Sequence, residues 1–446
     1  MSTSEQAPGG NSITPTQKAV RARGNPLLAS IRGVPTLPEA MALTTVTPPD
    51  ASEYEYRSKQ ELIVAGAADT LVSNATIGSV LTKVITLVRD SYHDRDLRKS
   101  HYRDYAANAA SFLHRRNNTH GHVLPSRFGI APRAKPRGMI VSIPVRMGRR
   151  LLAQAMHNAI GSQALAVRVP ESNGFTDYLQ LPCLRLLWPI DGKLTSFAQG
   201  FFGAFDAAMQ TEYALNTRSP LFRERDIVPS ICALSVAANL GMLIIERISM
   251  EDASGSWAPA TWNAIGQFTR TTGIPVLCLA TPGAAVLGAG RLPGVLGDLT
   301  AAAPIELLPP PSSRDIRWLA ICRALFDRTL RVAGIESMPL WLPSVAYQLT
   351  AGYPGLLAIV LKSIALALSA LKTPTLSREV FVTYGMQALR LHAPHLDAVK
   401  SIRRKKVITP HTLIRYSDWL SIAKLGAVFS VPELLISEDD AEDVPG

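Results

Sequence analysis

Four short apolar segments in the middle of the chain constrain its fold more than any other feature. They are GMIVSI, CLRLLW, MLIIE and IPVLCLAT, at positions 138–143, 183–188, 242–246 and 274–281. Helical stretches separate them, and this alternation is typical of βαβ units. The pattern therefore predicts an α/β core built on a parallel sheet.

The segments on either side of this core differ from it in composition. Residues 1–50 contain seven prolines and no aromatic residue, so they offer few groups to bury and favour a flexible arm. Apolar residues recur at helical spacing from Ser58 to Leu87, and a basic stretch follows. After a triple proline, Ser312 or Ser313 could cap a helix that carries an apolar stripe. The predicted parts are a flexible arm (1–50), a basic helical extension (51–125), the α/β core (126–308), a helical lid (312–400), and a basic segment with an acidic tail (401–446).

Composition narrows the range of partners and compartments. The 446 residues include 46 Lys and Arg against 35 Asp and Glu, a formal net charge of +11. Such a surplus favours a polyanionic partner, but it does not distinguish nucleic acid from an acidic protein or a membrane surface. The four cysteines are widely spaced, and no apolar run resembles a signal peptide or a membrane span. We therefore expect a soluble cytoplasmic protein with reduced thiols and no membrane partner.

The loop after the first predicted strand invites comparison with a phosphate-binding loop. A P-loop reads G-x-x-x-x-G-K-[ST], in which the Lys reaches the terminal phosphates and the hydroxyl holds magnesium. Here the segment from 143 to 150 is IPVRMGRR, so only Gly148 matches. Arg149 stands at the Lys position and Arg150 at the Ser/Thr position. The loop has the expected strand and helix around it but lacks the catalytic side chains.

The third predicted strand shows a second departure. In P-loop ATPases a strand at this place ends in Asp-Glu, and these residues organise magnesium and the attacking water. Here the pair is Glu246-Arg247. Arg247 cannot act as a base because its guanidinium stays protonated. Two independent catalytic elements are altered, and this favours lost hydrolysis.

Six blocks of sequence resemble, in one order, the TnsC/TniB-type AAA+ ATPases of DNA transposition. Together they extend over roughly residues 90–418, and their order makes the resemblance fairly specific. The blocks are QLPCLRLLWPIDGKLTSFAQGFFGAFDAAMQTEY, RERDIVPSICALSVAANLGMLIIERIS, TTGIPVLCLATPGA, GRLPGVLGDL, GYPGLLAIVLKSIALAL and REVFVTYGMQALRLHAPHLDAV. The resemblance implies an AAA+-like P-loop NTPase core with a helical lid. It also implies a degenerate nucleotide site at Gly148, Arg149, Arg150, Glu246, Arg247, Thr281 (sensor 1), Arg291 (arginine finger) and Lys362 (sensor 2).

The same resemblance implies duplex DNA as a partner. Family members assemble around DNA, and Lys or Arg side chains can follow its phosphates without reading sequence. Candidate DNA-binding residues lie between the second and third predicted strands: Lys193, Arg218, Arg223 and Arg225. The resemblance further implies transposase subunits and a TniQ-type target selector as partners. It also implies assembly with other copies of this chain or with an active TnsC-like paralogue, whose nucleotide site Arg291 could complete.

Several alternatives remain open from sequence alone. The pocket could bind no nucleotide, or it could bind ATP and Mg²⁺ weakly without hydrolysis. The chain could also be an atypical ATPase that relies on Arg149 and Glu246, or a protein-interaction module that does not contact DNA. The histidines form no complete set of metal ligands, so we expect no metal site.

Overall fold

The computed structural model describes residues 24–48, 58–118, 129–171, 174–215, 220–404 and 409–429. Helices α1–α6 are Pro26–Ala29, Leu37–Thr44, Lys59–Ala68, Ala75–Asp94, Ser100–Asn118 and Arg149–Ile160. Helices α7–α12 are Leu194–Met209, Glu224–Ala237, Met250–Ala253, Ala258–Thr272, Pro293–Leu299 and Ile316–Arg328. Helices α13–α18 are Leu342–Thr350, Pro354–Ser369, Arg378–Ala388, Ala393–Arg403, Pro410–Arg415 and Ile422–Phe429. Strands β1–β7 are Gly138–Ser142, Leu165–Glu171, Gly174–Gln180, Leu184–Leu187, Leu243–Ile248, Val276–Ala280 and Ile305–Glu306.

Five of the strands form one parallel sheet in the order β4–β5–β6–β1–β7. Strands β1, β4, β5 and β6 coincide with the four apolar segments. Every residue of β1 and β6 is buried, as parallel strands covered on both faces should be. Strand β6 lies between β1 and β5, so strands that are adjacent in the sheet are distant in the chain. The predicted α/β core with a parallel sheet, followed by a helical subdomain, is confirmed.

Two further strand elements were not expected. Strands β2 and β3 form a separate antiparallel hairpin, and β7 adds a two-residue edge to the main sheet beside β1. The hairpin is largely exposed, with Phe175 and Leu179 more than half accessible to solvent. In chain order it lies between α6 and β4, and Val167 and Val169 of β2 are buried in the sheet core.

The helices after the triple proline enclose a second buried cluster. Its residues come chiefly from α12, α13, α14 and α16. Of the apolar stripe predicted for α12, four residues are buried in the cluster (Trp318, Cys322, Leu325 and Phe326), and Ile321 is partly buried against it. Asp315 caps α12, because its carboxylate accepts a hydrogen bond from the Arg317 backbone at 2.8 Å. The expectation that Ser312 or Ser313 caps this helix is wrong.

The buried cluster of the lid also contains residues from helices outside the predicted lid segment. Ile63 of α3 and Leu425 of α18 are fully buried in the lid cluster. Helix α3 begins with a capping box between Ser58 and Glu61, and α4 begins at Asn74, whose side chain accepts from two backbone N–H groups. While α3 joins the lid, α4 and α5 pack on the sheet core. The predicted extension is thus divided between the two subdomains.

The described part of the predicted arm is ordered. Residues 24–48 contain α1 and α2, and Leu27, Ile31 and Ala40 are buried in the sheet core. The Leu27 carbonyl accepts a hydrogen bond from the Gln180 amide at 2.8 Å. For residues 24–48 the expectation of a flexible arm is wrong, because these contacts are to residues distant in sequence. The remainder of the arm, 1–23 and 49–50, lies outside the described residues.

Within the described residues, no single helix combines the length and apolar character that a membrane crossing needs. Helices α13 and α14 meet that criterion only as a pair, and a bend of 116° separates them.

Candidate functional site

A cavity of about 570 Å³ lies where the sheet core, the α3–α4 connection and the lid meet. Its volume is in the range of small-ligand sites. One wall is apolar and includes Leu71, Ile77, Ile321, Leu325 and Ala358. The polar part of the lining is strongly basic: among the described lining residues there are five arginines and a single carboxylate, namely Arg146, Arg149, Arg150, Arg185, Arg247 and Glu246.

The predicted phosphate loop forms part of this basic lining. Gly148 precedes α6 with a φ of +83°, a left-handed conformation that glycine adopts without strain. Arg146, in the same loop, also has a positive φ, +62°, and its guanidinium lies 3.2 Å from His392 of the lid. The loop thus turns sharply into a helix N-terminus, as a phosphate-binding loop does.

Arg149 is half-buried and points towards the ends of the strands. Its Nη1 donates to the Ile248 carbonyl at 2.9 Å. Burial lowers the pKa of this guanidinium, while Asp418 and Glu246 oppose that shift. The side chain at position 149 is therefore anchored by a backbone carbonyl, and two carboxylates act on it electrostatically.

Arg150 has a different environment. It is exposed, and its Nη2 donates to the Asp69 carboxylate at 2.9 Å and to the Ala68 carbonyl at 3.2 Å. The position that should carry a metal-binding hydroxyl instead connects α6 to the end of α3.

Glu246 is the buried carboxylate of the site, with 2% of its surface exposed. Its Oε1 accepts from Nε of Arg185 at 2.6 Å and lies 2.6 Å from Nη2 of the same side chain. Its Oε2 has no hydrogen-bond partner among the described residues. Sequence reasoning missed Arg185, although a lone arginine within the apolar strand CLRLL was a visible signal.

Arg247 follows Glu246 in an unusual conformation. Its φ is +59°, and the pairing of β5 with β6 shifts between Ile245 and Ile248. For a residue other than glycine this conformation costs energy and is typical of functional sites. The bulge leaves Glu246 buried and Arg247 exposed on the cavity wall.

Thr281 does not line the cavity but lies behind Arg149. It is fully buried, its backbone donates to Ile248 at 2.9 Å, and its hydroxyl accepts from Ala284 at 3.2 Å. Burial raises the pKa of the Asp418 carboxyl, and the Thr281 hydroxyl opposes that rise. Thr281 therefore interacts with the C-terminal part of the chain rather than with the cavity.

That C-terminal part, residues 409–429, closes the carboxyl edge of the sheet. The Asp418 carboxylate accepts from the Met250 backbone at 3.1 and 3.2 Å, and its carbonyl accepts from Val145 of the phosphate loop at 2.9 Å. The Tyr353 hydroxyl donates to the Trp419 carbonyl, and Glu306 accepts from the Ile422 backbone at 2.6 Å. We name residues 409–429 the C-terminal clasp. Nothing in its sequence indicated this position.

Two residues of the predicted nucleotide site lie apart from the cavity. Arg291 is exposed in the turn before α11. Lys362 is half-buried in α14, beyond Pro354, Gly355 and Ala358 of the same helix, which do line the cavity. The structure thus brings together Gly148, Arg149, Arg150, Glu246 and Arg247, but not Thr281, Arg291 or Lys362.

The described candidate DNA-binding residues lie at the N-termini of two different helices. Lys193 precedes α7, and its ammonium lies 5.4 Å from the ring centroid of the exposed Trp257. Arg223 and Arg225 lie at the start of α8, the next helix after α7 in the chain, and both side chains are exposed. Arg218 lies outside the described residues.

The histidine and cysteine side chains have several different surroundings. Among the residues that the structure describes, no three His, Cys, Asp or Glu side chains converge. His395 instead packs against Tyr416 and Trp419, with ring centroids 5.5 and 5.3 Å away. Burial raises the pKa of the Cys183, Cys232, Cys278 and Cys322 thiols, so all four are inert core residues.

Comparisons with known proteins give similarity at the level of solved structures. No protein-family model and no curated protein matches the chain. A Walker-type ATPase of Pyrococcus abyssi is 12% identical, with a TM-score of 0.37 over 68% of this chain and 75% of that one. The Aeropyrum pernix ORC2 protein is 12% identical, with a TM-score of 0.38 over 72% and 80%. C. elegans PCH-2 is 10% identical, with a TM-score of 0.33 over 76% and 74%.

Proposed function

We propose that this chain is an AAA+-like protein that does not hydrolyse ATP and serves as a DNA-bound scaffold in transposition. In this role it bridges a TniQ-type target selector and a transposase. The observation that carries the proposal is the ion pair between Glu246 and Arg185. It engages one oxygen, Oε1, of the carboxylate that an ATPase would use for magnesium, and it places a guanidinium charge beside that carboxylate.

The chemistry of the site fits this reading. Hydrolysis in P-loop enzymes needs a metal held by a hydroxyl and a carboxylate, and a residue that orients water. Here Arg150 replaces the hydroxyl and is bonded to Asp69, while Arg247 replaces the water-orienting acid. Cationic side chains surround the place where Mg²⁺ would bind, so the residues present do not fit the metal.

The scaffold role rests on charge and on the family resemblance. The chain carries a net charge of +11, and Lys193, Arg223 and Arg225 have exposed side chains. Exposed cations at helix beginnings can contact phosphates without reading bases. Arg291, exposed beside α11, is free to face a neighbouring subunit, either another copy or an active paralogue.

The first test is duplex-DNA binding across a salt series, with and without ATP and Mg²⁺. We expect binding that does not need nucleotide and that weakens steeply as salt rises. The double variant Arg223→Ala/Arg225→Ala should flatten the logarithmic salt slope by about two, roughly one for each lost phosphate contact. Arg317→Ala/Arg331→Ala removes the same charge from the lid and should leave the slope unchanged. Wild-type protein that fails to bind duplex at low salt would instead support a protein-interaction module.

The second test is phosphate release from ATP. We expect no phosphate release above background, because the site lacks both a set of metal-binding side chains and a general base. Glu246→Gln should therefore change nothing in this assay. Release that is measurable in the wild type and disappears in Glu246→Gln would establish the alternative, an atypical ATPase.

A further inference from the structure

The basic lining of the cavity contains more guanidinium groups than the chain pairs with carboxylates around it. Arg150 is paired with Asp69, and Arg185 is paired with Glu246. The remaining lining arginines form no ion pair with any residue that the structure describes; they are Arg146, Arg149 and Arg247. Because guanidinium groups form bidentate hydrogen bonds with carboxylates, these three side chains are suited to an acidic ligand.

The apolar wall of the same cavity adds a second requirement. Leu71 and Ile77 contribute to it from α4 and the chain before it, and Ile321, Leu325 and Ala358 contribute from the lid. A ligand that fits the whole lining therefore combines acidic groups with aliphatic side chains, as binding sites that mix apolar surface with a few charged groups require. A peptide in which an aliphatic run adjoins an acidic run has this chemistry.

The chain itself contains a stretch of this kind. Residues 433–443 read ELLISEDDAED, in which three aliphatic residues at 434–436 precede the acids of 438–443. The stretch contains no Lys or Arg, whereas the whole chain carries a net charge of +11. It belongs to the acidic tail expected from the sequence, and it lies outside the described residues. We name residues 433–443 the acidic segment.

The C-terminal clasp brings the chain close to the cavity shortly before the acidic segment begins. The Ile422 backbone donates to Glu306 at the end of β7, and β7 lies beside β1 in the sheet. Strand β1 leads into the loop that carries Arg146. The clasp also contacts this loop directly, because the Asp418 carbonyl accepts a hydrogen bond from Val145 at 2.9 Å.

The chain between the clasp and the acidic segment is long enough to return to the cavity. Helix α18 has eight residues and is therefore about 12 Å long. Residues 430–438 span up to about 30 Å when extended. Neighbouring strands are about 4.8 Å apart, so β4, at the other edge of the sheet, lies about 19 Å from β7. A connection this short gives the segment a roughly millimolar effective concentration at the cavity.

We propose that the arginine-lined cavity is a binding site for an acidic peptide, and that its occupant is the acidic segment of the same chain. The carboxylates of residues 438–443 pair with the guanidinium groups, and the aliphatic residues 434–436 pack on the apolar wall. The bound segment neutralises the basic lining, so any other anionic ligand must displace it. This inference goes beyond the proposed scaffold role and does not rest on it, since the contact needs neither DNA nor nucleotide.

The test is disulfide trapping in the full-length protein. Val72→Cys places a thiol on the cavity lining, and Ala441→Cys places one in the acidic segment without removing a charge. The four native cysteines are buried and stay unreactive. Under mild oxidation we expect an intramolecular disulfide, seen as faster migration on a non-reducing gel and identified by mass spectrometry of the linked peptides.

The matched control pairs Ser162→Cys with Ala441→Cys. Ser162 is exposed beyond the C-terminal end of α6, and the 12 residues of this helix place it about 18 Å from Arg149 at the other end. A segment bound in the cavity should react with Val72→Cys at least about tenfold faster than with the control thiol, because binding raises its local concentration at the cavity alone. Circular dichroism checks that both variants are folded.

The acidic side chains are tested within the trapping pair. Glu438→Gln/Asp439→Asn/Asp440→Asn keeps the shapes of three side chains but removes their charges, so it should slow trapping severalfold. Raising the salt concentration from about 0.1 M to about 1 M shortens the Debye length from about 10 Å to about 3 Å and should also slow trapping.

The arginines are tested in the same way. Arg146→Ala/Arg247→Ala removes two exposed, unpaired cations from the cavity and should slow trapping severalfold. Arg317→Ala/Arg331→Ala removes the same charge from the lid outside the cavity and should leave the rate unchanged.

Three results would overturn the inference. They are trapping no faster than in the control pair, a rate that the triple neutral variant leaves unchanged, and a disulfide that joins two chains, which would make a second copy the occupant. Trapping is measured without DNA and without ATP. Its failure would therefore leave the scaffold role standing, and a failure to bind duplex DNA would leave the trapping result standing.

Discussion

Arg185→Met is expected to lower the free energy of unfolding by about 3–5 kcal/mol, because it leaves the buried Glu246 carboxylate without its cation. Glu246 is 2% exposed, its Oε1 accepts a hydrogen bond from Nε of Arg185, and Nη2 of the same side chain lies 2.6 Å away. Urea denaturation followed by circular dichroism measures this change as a lower midpoint at constant slope.

The matched control removes both charges. Arg185→Met/Glu246→Leu should recover stability to within about 1 kcal/mol of the wild type, since an apolar pair can replace a buried ion pair at little cost. If the double variant were as unstable as the single one, packing rather than charge would explain the loss. A single variant as stable as the wild type would show that the carboxylate is not buried against Arg185.

Gly283→Ala is expected to displace the C-terminal clasp. A Cβ at this position would lie 2.2 Å from Oγ of Ser417, 2.6 Å from Oδ1 of Asp418 and 2.9 Å from Cβ of Met250. The φ of Gly283 is −58°, so alanine fits the backbone and the clash is the only penalty. Overpacking of this kind costs about 1–3 kcal/mol. Hydrogen exchange of residues 409–429 should become faster than in the wild type.

Gly297→Ala in α11 is the matched control, because a Cβ there meets nothing within 4 Å. Its exchange in the clasp should equal that of the wild type. Slow exchange of the clasp in Gly283→Ala would mean that Ser417 and Asp418 can move aside without releasing the segment, and would contradict the close packing described here.

The sheet core could be predicted because each of its main strands is a buried run of apolar residues between polar helices. The predicted segment 138–143 ends one residue after β1. The predicted segment 274–281 begins two residues before β6 and ends one residue after it. Their order in the sheet could not be predicted, since it depends on contacts between distant strands. The β2–β3 hairpin was not predicted, because more and less exposed residues alternate along β3 and several apolar side chains of the hairpin are exposed.

The site was only partly predictable for a similar reason. Gly148, Arg149 and Arg150 follow β1, while Glu246 and Arg247 lie near the end of β5. Because the ends of these parallel strands lie at one edge of the sheet, the proximity of the five residues follows from the fold. The roles of Arg185 and Asp418 depend on a side chain in a neighbouring strand and on a segment far along the chain. Neither relation leaves a local pattern in the sequence.

The composition of the lid cluster has a consequence for the order in which the protein forms during synthesis. The sheet is complete in sequence once β7 has emerged from the ribosome, so the core can fold early, as N-terminal units generally do. The lid cannot close at that point, because its buried cluster joins Ile63 to Leu425. Helix α3 must therefore wait, with its apolar face unburied, until α12 and α14, against which it packs, have been translated. Contacts of such long sequence separation form slowly, so a chaperone that shields α3 would have its main task in this interval.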